Sequence, residues 1–536
     1  MNRWVLALIG CAWFGGGPVP ALGQTAPTAA ASIRTPAEAA EYLSYTSPDT
    51  AHAWLLELAR QAGPVVSVRP LITLPGESGG KPVVVPAARL SSSVHSGFAA
   101  DAAAEAADDD RIRVLLVGSQ HGDERAGYEV ALRLARDLST GELRPLLDRL
   151  EVVIVPVANP IGMRARTRFD GSGEDPNRDH VMLASPVNRV LWELHAEFEP
   201  HLVLDLHEMG PTPYEAQVGL PTHPNVDPQL TELARYRLLP YLVRALAGAN
   251  VRFHEYISEV PDPAYPTTID APADTFFTWA PISADNARNA FSLAGSLGLL
   301  LETASAQEID DLQRRTDRLH LMVTSILEVT AGLSDEVHAR VWDAPDGRDV
   351  TPPFLALRAG NETDPEQPYL RWLRRNARGN LVPLQLDRWR PGVRVSDSLP
   401  LPAAWVILPE GADLAAHLQR HGIRLQQLVE SVDLDVGEYR TPESVVPGRR
   451  TLPAGSWVVR ADQRRQRLLF TLLEPGSDDG WIRSPPPGLA AAGWAEAELP
   501  LVRIEGRLPV LPLVSADAIG LPGLIPSGTP GPEPGR

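Results

Sequence analysis

The stretch Arg111-Ile-Arg-Val-Leu-Leu-Val-Gly118 is a short apolar run, and the polar segment Gln120-His121-Gly122-Asp123-Glu124 follows it almost directly. From Glu124 to Leu138, apolar residues recur with the i, i+3, i+4 spacing of an amphipathic helix. The sequence therefore predicts a buried strand, a polar turn and a helix in succession. A histidine and a glutamate three residues apart at such a turn can both point into one cleft.

Strands and helices continue to alternate along the chain. Further strands are predicted at 151–157, 201–206 and 298–302, and further helices at 187–198, 228–246 and 308–333. Such alternation indicates an α/β fold with a mixed, mostly parallel central sheet and helices on both faces. Sites in such folds collect at the carboxyl ends of the strands, where His121, Glu124, His207 and Glu302 all lie.

Composition limits the kinds of partner and of site. The 536 residues are 44% hydrophobic and 22% charged, which is typical of a water-soluble globular protein. A net charge of −18 makes nucleic acid an unlikely substrate, and no stretch is apolar for the roughly 20 residues that a membrane span needs. Cys11 is the only cysteine and lies in a predicted signal peptide. Any metal in the mature chain must therefore be bound by histidine and carboxylate.

His121, Glu124 and His207 have the residue types that a hydrolytic zinc site uses. His207 ends the apolar strand that begins at His201, and such a strand would hold the imidazole rigidly at a pocket edge. Each element alone has an ordinary interpretation: an HxxE triplet is commonly a solvated helix start, and a lone strand-end histidine is more often structural. Their combination with the following segments favours a metal site.

The chain resembles the zinc metallocarboxypeptidase family in a set of motifs that occur in the family's order. The motifs are HxxE at 121–124, Asn159-Pro-Ile-Gly162, Arg168, Asp175-Pro-Asn177-Arg178, the strand-end His207 and the late Glu302. They cover roughly residues 110–335, and their spacing is closest to the compact bacterial branch of the carboxypeptidase A-like superfamily, related to succinylglutamate desuccinylase and aspartoacylase. The resemblance implies one Zn²⁺ bound by His121, Glu124 and His207, with Asp175 orienting His121.

The resemblance also implies roles for the other polar residues. Glu302 would be the catalytic base, and Arg168 would stabilise the charge that grows on the attacked carbonyl oxygen. Asn177 and Arg178 would bind the substrate's carboxylate, and Arg288 would line the specificity pocket. Three of these have ordinary alternatives: Glu302 as a solvent-facing strand end, Arg168 as part of a solvated arginine cluster, and Arg288 as a helix-surface residue. The family's pocket-closing tyrosine has no clear counterpart here, and Tyr256 and Tyr265 are the possible substitutes.

The sequence divides into five predicted segments. They are a signal peptide at 1–23, an N-terminal extension at 24–100 that packs on the catalytic domain, the zinc carboxypeptidase-like catalytic domain at 101–342, a smaller α+β C-terminal accessory domain at 343–518, and a flexible Pro/Gly-rich tail at 519–536. The signal peptide rests on Arg3, the apolar run 4–14 and the small residues 21–23. Within the accessory domain we predict strands near 405–408, 456–461 and 468–473 and a helix at 413–421.

We therefore expect an exported, periplasmic or secreted zinc carboxypeptidase that hydrolyses C-terminal peptide bonds. The alternative is a zinc amidohydrolase that deacylates N-acyl amino acids, and in either case the substrate carries a free carboxylate. A non-catalytic binding module with this fold is the second alternative, but the retained Glu302 argues against it. The sequence does not indicate an oligomeric state, a side-chain preference or a role for the C-terminal domain.

Overall fold

The computed structural model describes residues 33–76, 80–92, 110–210, 212–261, 275–305, 309–342, 354–376, 378–441, 444–481, 485–486, 500–506 and 508–515. The predicted signal peptide and the predicted tail lie outside these residues. The chain from Ile33 onward forms one compact unit. The contacts within it do not mark the domain limits that the sequence predicts, so those limits stay a prediction. None of the described helices has the length and apolar character needed to cross a membrane.

Among the described residues, ten strands precede residue 305. They are β1 (Val66–Leu74), β2 (Val83–Leu90), β3 (Ile112–Gly118), β4 (Leu150–Val155), β5 (Leu202–Met209), β6 (Ala216–Gly219), β7 (Phe253–Glu255), β8 (Ile257–Pro261), β9 (Thr275–Trp279) and β10 (Leu297–Ala304). Eight of them form a central sheet in the order β1-β2-β4-β3-β5-β10-β6-β7, and β8 and β9 form a separate hairpin. β4, β3, β5 and β10 run parallel to one another. β1 and β2 pair antiparallel with their neighbours, whereas β6 pairs antiparallel with β10 and parallel with β7. This is the mixed, mostly parallel sheet that the sequence predicts.

Helices cover both faces of the sheet, so its parallel strands are buried along their length. The helices of this part of the chain are Pro36–Ala39, Pro48–Ala62, Ala126–Ser139, Pro160–Ala165, Pro186–Phe198, Pro228–Leu233, Leu239–Gly248, Ala287–Leu293, Leu312–Gly332 and Ser334–Val337. Helices 126–139 and 312–332 pack together, whereas Trp192 of helix 186–198 contacts Phe291 of helix 287–293. The predicted helix 228–246 is interrupted by a π turn at Ala234–Leu238.

The N-terminal region joins the fold through backbone pairing and through one buried contact. Its two strands extend the central sheet beyond β4. Glu129, on helix 126–139, accepts hydrogen bonds from the backbone N–H of Thr46 at 3.0 Å and from its hydroxyl at 2.9 Å. Glu129 is only 1% exposed, and this burial raises its pKa to about 7 even though Thr46 opposes the shift.

We predict that the wild type loses stability as the pH rises and that the Glu129→Gln variant does not lose this part of its stability. The folded protein favours protonated Glu129, so its contribution is fully present below the unfolded pKa and is lost as the pH rises through about 7. Between about pH 6 and pH 8 the wild type should lose roughly 1 kcal/mol that the variant retains. Thermal midpoints of both proteins at the two pH values measure the difference, and parallel shifts would contradict the prediction.

The C-terminal region is rich in sheet, with a seven-stranded sheet in the order β18-β17-β20-β15-β19-β16-β21 and two separate pairs, β11 with β14 and β12 with β13. The strands are β11 (Leu355–Glu362), β12 (Leu370–Arg375), β13 (Leu381–Leu386), β14 (Gly392–Leu399), β15 (Ala404–Ile407), β16 (Gln426–Leu428), β17 (Val432–Thr441), β18 (Ser444–Leu452), β19 (Trp457–Arg460), β20 (Leu501–Ile504) and β21 (Leu513–Ser515). Two helices, Ala412–Arg420 and Gln466–Leu473, accompany them.

One predicted strand of this region is wrong. Residues 468–473 belong to the helix Gln466–Leu473. All six are buried, because the helix packs against both helix 287–293 and β11. A short apolar run that is buried on several sides shows neither the helical nor the strand period, so its sequence does not distinguish the two structures.

Candidate active site

The segment that carries His121 and Glu124 leaves the carboxyl end of β3 through a tight turn. Ser119 has a φ of 55°, in the left-handed region. Gly122 packs directly on the backbone of Gly162, where any Cβ would overlap it. Gly122 is therefore needed for the close approach of the loop after β3 to the loop after β4, whereas a Cβ at Gly162 would meet the Asn159 side chain and the Phe169 carbonyl.

Asn159 links three segments around this approach. Its side-chain oxygen accepts a hydrogen bond from the backbone N–H of Gly162 at 2.8 Å and so caps helix 160–165. Its Nδ2 donates to the carbonyls of Gln120 and Phe169, each at 3.1 Å. The Asn-Pro-Ile-Gly motif thus has a structural role, which is to fix the loop of His121 and the segment that carries Arg168.

His121, Glu124 and His207 converge, and each offers one atom within 4.8 Å of the others. Glu124 Oε1 lies 2.7 Å from His121 Nδ1, Glu124 Oε2 lies 2.7 Å from His207 Nδ1, and the two Nδ1 atoms are 3.0 Å apart. Two imidazole nitrogens and one carboxylate therefore face a common point, although His207 lies 83 or more positions after the other two residues in sequence.

The far nitrogens of both imidazoles face carboxylates. His121 Nε2 lies 3.1 Å from Asp175 Oδ1, and His207 Nε2 lies 2.8 Å from Asp205 Oδ2. Each carboxylate favours the tautomer with the proton on Nε2, which leaves the Nδ1 lone pairs directed at each other and at Glu124. Two imidazole nitrogens and one carboxylate that face a common point are a donor set that suits a cation, so the residues form a metal site.

Charge in the cluster shifts its pKa values in opposite directions. Burial by itself would raise the pKa of Glu124, but His121 and His207 hold it well below its ordinary range. Burial would lower the pKa of His207, but Asp205 and Glu124 raise it well above its usual value. Asp175 is also held below its ordinary pKa, because His121 and Arg168 outweigh its partial burial. The carboxylates are therefore kept ionised beside the imidazoles.

Glu302 lies on β10 directly beside His207 of β5 in the parallel register. It is 6% exposed, and its Oε2 has no hydrogen-bond partner among the described residues. Burial, reinforced by the charges of Glu124 and Asp205 and opposed by His207, raises its pKa to about 8. A buried carboxylate with a free oxygen and a raised pKa beside a metal site is equipped to accept a proton.

A cavity of about 340 Å³ joins these groups. Its walls include every residue with a predicted catalytic, metal-binding or substrate-binding role, together with Tyr256. Tyr265, the other possible substitute for a pocket-closing tyrosine, lies outside the described residues, while burial raises the pKa of Tyr256 to about 12. The structure therefore brings the predicted residues together, and their individual roles stay predictions.

The predicted substrate-binding residues differ in how many of their polar atoms are occupied. Asn177 is buried, with Nδ2 2.9 Å from Asp205 Oδ2 and with Oδ1 accepting the backbone N–H of Ala287 at 2.8 Å. Arg178 donates to the Asn177 carbonyl at 2.6 Å. Arg288 is 3% exposed and donates to the Pro281 carbonyl at 2.6 Å, but its Nε has no partner among the described residues. Asn177 thus supports the site, whereas the two arginines retain capacity for an anion.

Comparison with known proteins agrees with this geometry. Residues 110–213 match the model of the succinylglutamate desuccinylase/aspartoacylase catalytic domain. Carboxypeptidase 2 of Trichophyton equinum is 26% identical over 414 residues, which cover 69% of this chain and 73% of the relative. The chain fits a zinc carboxypeptidase-like family related to succinylglutamate desuccinylase. This confirms the resemblance that the motifs indicate.

Two further similarities were found. Succinylglutamate desuccinylase of Burkholderia lata is 48% identical over 68 residues, 13% of this chain and 18% of the relative. Among solved structures, the metallo-carboxypeptidase from Burkholderia cenocepacia aligns with a TM-score of 0.39 at 19% identity, covering 55% of this chain and 71% of that one.

Asp205, Gln120 and His180 form a chain of contacts behind the metal site, and the sequence predictions give none of them a role. Asp205 accepts a hydrogen bond from Gln120 Nε2 at 2.6 Å in addition to its contact with His207. Gln120 Oε1 in turn lies 2.8 Å from Nε2 of the buried His180. The signal for Asp205 is present in the sequence, since a carboxylate two positions before a strand histidine lies on the same face of the strand. Nothing in the sequence marks His180.

We predict that Asp205→Asn weakens metal binding by roughly 10- to 100-fold, the usual effect of losing the carboxylate behind a histidine ligand. Asparagine keeps the shape of the side chain but removes the charge that fixes the tautomer of His207. Competition with a chromogenic chelator measures the affinity. Asp227→Asn, which changes a helix-capping aspartate outside the cavity, is the matched control and should bind metal normally. Equal affinity in both variants would contradict the role of Asp205.

Proposed function

We propose that the chain is an exported zinc-dependent carboxypeptidase that hydrolyses the C-terminal peptide bond of its substrate. The single observation that carries the proposal is the shared cavity, in which the metal donors, Glu302 and three arginines face one another. The named carboxypeptidase relatives support a hydrolase that acts on peptide bonds. The non-catalytic alternative is therefore set aside.

Zinc is the metal that this donor set favours. Two imidazoles and one carboxylate are a common ligand set of catalytic zinc sites, and they leave a position for water and substrate. When bound, Zn²⁺ would lower the pKa of a water molecule and polarise the carbonyl that is attacked. Elemental analysis of the purified protein tests the choice of metal, with about one zinc per chain expected.

Glu302 would move the proton that the hydrolysis requires. Its unpaired Oε2 would accept a proton from the attacking water as the water oxygen bonds to the carbonyl carbon. The same oxygen would then give the proton to the amine nitrogen as the C–N bond breaks. The pKa of about 8 that burial gives Glu302 makes it a stronger base than an exposed glutamate, and the protonated form can act as the acid.

Arg168 would stabilise the negative charge that develops on the carbonyl oxygen. Its Nη1 lies 3.1 Å from His121 Nδ1 and 3.7 Å from Glu124 Oε1, so the guanidinium stands beside the metal donors. Asp175 fixes its orientation through a 2.6 Å hydrogen bond from Nε. A cation held in place before the reaction stabilises such charge without further reorganisation.

Arg178 and Arg288 would bind carboxylate groups of the substrate. The described hydrogen bonds of Arg288 go to the Thr222 hydroxyl and the Pro281 carbonyl rather than to a carboxylate, and burial lowers its pKa to about 10. A buried guanidinium without an anion is costly, so a substrate carboxylate would relieve that cost. Arg178 would then bind the terminal carboxylate, and an acidic or carboxylate-bearing terminal side chain would be favoured at Arg288.

Deacylation of an N-acyl amino acid is the second candidate. The match of residues 110–213 to the succinylglutamate desuccinylase/aspartoacylase domain favours it specifically. The same residues would serve that reaction, because hydrolysis of an amide next to a carboxylate needs the same base and the same anion site. The two candidates therefore differ in the substrate that fits and not in the chemistry.

Mass spectrometry of products separates the two candidates. The purified zinc-loaded enzyme is offered a peptide library with all terminal residues and, separately, a set of N-acyl amino acids that includes N-succinyl and N-acetyl forms. A carboxypeptidase releases single C-terminal amino acids, with Asp and Glu enriched if Arg288 acts as proposed. Release of acyl acids alone would favour the deacylase, and a protein without zinc that cleaves neither set would refute both.

Export is a separate part of the proposal. It rests on Arg3 and the apolar run 4–14, which precede the small residues 21–23. Cell fractionation with N-terminal sequencing tests it, and we expect the exported protein to begin near Gln24. Full-length protein confined to the cytosol would refute export and would leave the proposed chemistry unaffected.

A further inference from the structure

A second cavity of about 390 Å³ lies where the β12–β13 hairpin meets the catalytic region. Its walls combine segments from both parts of the chain, namely Thr212, Pro213, Ile257, Phe277, Trp372, Leu373, Arg374, Arg375, Leu384 and Leu386. Seven of these are apolar or aromatic side chains that remain partly exposed. We call this cavity the hairpin groove.

The hairpin groove is held in a fixed position by contacts on two sides. Trp372 packs against Tyr214, with ring centroids 4.5 Å apart, and against His254 at 4.7 Å. On the other side Phe277 donates its backbone N–H to the Arg388 carbonyl at 2.7 Å and accepts from the Arg390 N–H at 2.8 Å. Both parts of the chain therefore fix the groove, and its apolar surface does not depend on a loose hairpin.

The groove adjoins the metal cavity at two points. Tyr256 lines the metal cavity while the next residue, Ile257, lines the groove. Gly210 lines the metal cavity while Thr212 lines the groove. Since consecutive Cα atoms are about 3.8 Å apart, the backbone positions that line the two cavities lie no more than roughly 7 Å apart at either point. An extended peptide advances roughly 3.3 Å per residue, so two or three residues of a substrate bridge that distance.

The two cavities differ in chemistry. The metal cavity is lined mainly by charged and polar side chains, which suit the reacting amide and the terminal carboxylate. The groove presents Trp372, Phe277 and the leucines of β13, which suit apolar side chains. Arg374 and Arg375 of the same hairpin also line the groove. They place positive charge there, although the chain as a whole has a net charge of −18. A cationic stretch of substrate is therefore disfavoured there.

From this proximity and the apolar lining of the groove, we infer that the hairpin groove binds apolar residues of a peptide substrate on the amino side of the cleaved bond. The C-terminal region would then select substrates as well as contribute to folding. The inference rests on the proposed peptidase function and extends it, because an N-acyl amino acid is too short to reach the groove. Trp372 and Leu384 are specificity residues in this scheme and do not touch the reacting atoms.

Three substrates with the same two C-terminal residues test the inference: an N-acylated dipeptide, a hexapeptide with Leu and Phe upstream, and a hexapeptide with Ser at those positions. The wild type should cleave the apolar hexapeptide with a kcat/KM about tenfold above that of the serine hexapeptide. Trp372→Ala and Leu384→Ser should each abolish this preference through KM, while kcat and the dipeptide rate stay unchanged. Tyr236→Ala, which removes an exposed aromatic ring elsewhere, is the matched control.

Each other outcome has a defined meaning. If dipeptide and hexapeptides are all cleaved but the two groove variants keep the apolar preference, the inference is wrong and the peptidase proposal stands. If a groove variant changes the mass of the particle in solution, the face joins copies of the chain and the inference is wrong. If nothing is cleaved, the peptidase proposal fails, and anisotropy of the labelled apolar hexapeptide with wild type and Leu384→Ser still decides whether the groove binds it. Thermal midpoints show that each variant is folded.

Discussion

Replacing Glu302 by glutamine is expected to lower kcat by about 10⁴-fold, the upper end of what a positioned proton acceptor contributes. Glutamine has nearly the same shape, so the cavity keeps its form, but it cannot take a proton from water. Glu302 contributes no atom to the group of three metal donors, so zinc content should remain that of the wild type. Steady-state hydrolysis together with elemental analysis of the same preparation measures both quantities.

Glu215→Gln is the matched control for this variant. Glu215 is a partly buried glutamate whose backbone carbonyl contacts Thr303 of β10, but its side chain pairs with Arg252 and does not line the metal cavity. It should retain nearly full activity. A Glu302→Gln protein that hydrolyses peptides at the wild-type rate would remove Glu302 from the mechanism, and one that loses zinc would make it part of the metal site.

The location of the site was predictable because it depends on strand ends. A short buried strand is recognisable from its apolar residues, and parallel strands place their carboxyl ends at one edge of the sheet. His121 after β3, His207 near the end of β5 and Glu302 near the end of β10 thus meet, although they are far apart in sequence. The order of these residues along the chain therefore contains enough information to place the cavity.

Orientation within the site was less predictable, because it depends on side-chain partners. Asn177 resembles a substrate-binding residue in its motif, yet its amide lies against Asp205 and the backbone of helix 287–293. Arg288 could be a helix-surface residue by its sequence, but it is buried because Gly298 brings β10 against its backbone. Such contacts come from packing between elements distant in sequence, which periodicity does not show.

Several strands escaped prediction for local reasons. β2 contains Pro86, which faces Pro70 across the pair with β1, and proline in a strand ordinarily indicates a loop. β12 carries arginines at exposed positions, β13 contains Pro383, and neither strand buries an apolar residue fully, so their alternation is weak. The sequence therefore does not indicate the hairpin groove, because its walls come from short, partly exposed segments of the catalytic region and of the C-terminal region.

Replacing His207 by alanine is expected to abolish both metal binding and hydrolysis. The change removes one of three donors, and Glu124 and His121 alone do not complete a catalytic zinc site. It also leaves Asp205 and Glu124 buried without the imidazole between them, so the variant should be less stable than the wild type. Elemental analysis should give less than about one tenth of a zinc per chain, and hydrolysis should fall below detection.

A second readout separates loss of the ligand from general loss of structure. Zinc that binds only the folded wild type should raise its thermal midpoint, by an amount equivalent to about 2.7 kcal/mol when the free metal is a hundredfold above its dissociation constant. The midpoint of His207→Ala should not respond to zinc. His201→Gln is the matched control, because His201 is buried directly before the same strand and accepts the Arg113 N–H at 3.0 Å, away from the donors. The two histidines differ chiefly in which end of β5 they occupy, so only the one at the carboxyl end should affect zinc. The assigned metal site would be wrong if His207→Ala kept zinc, or if His201→Gln lost it as completely as His207→Ala.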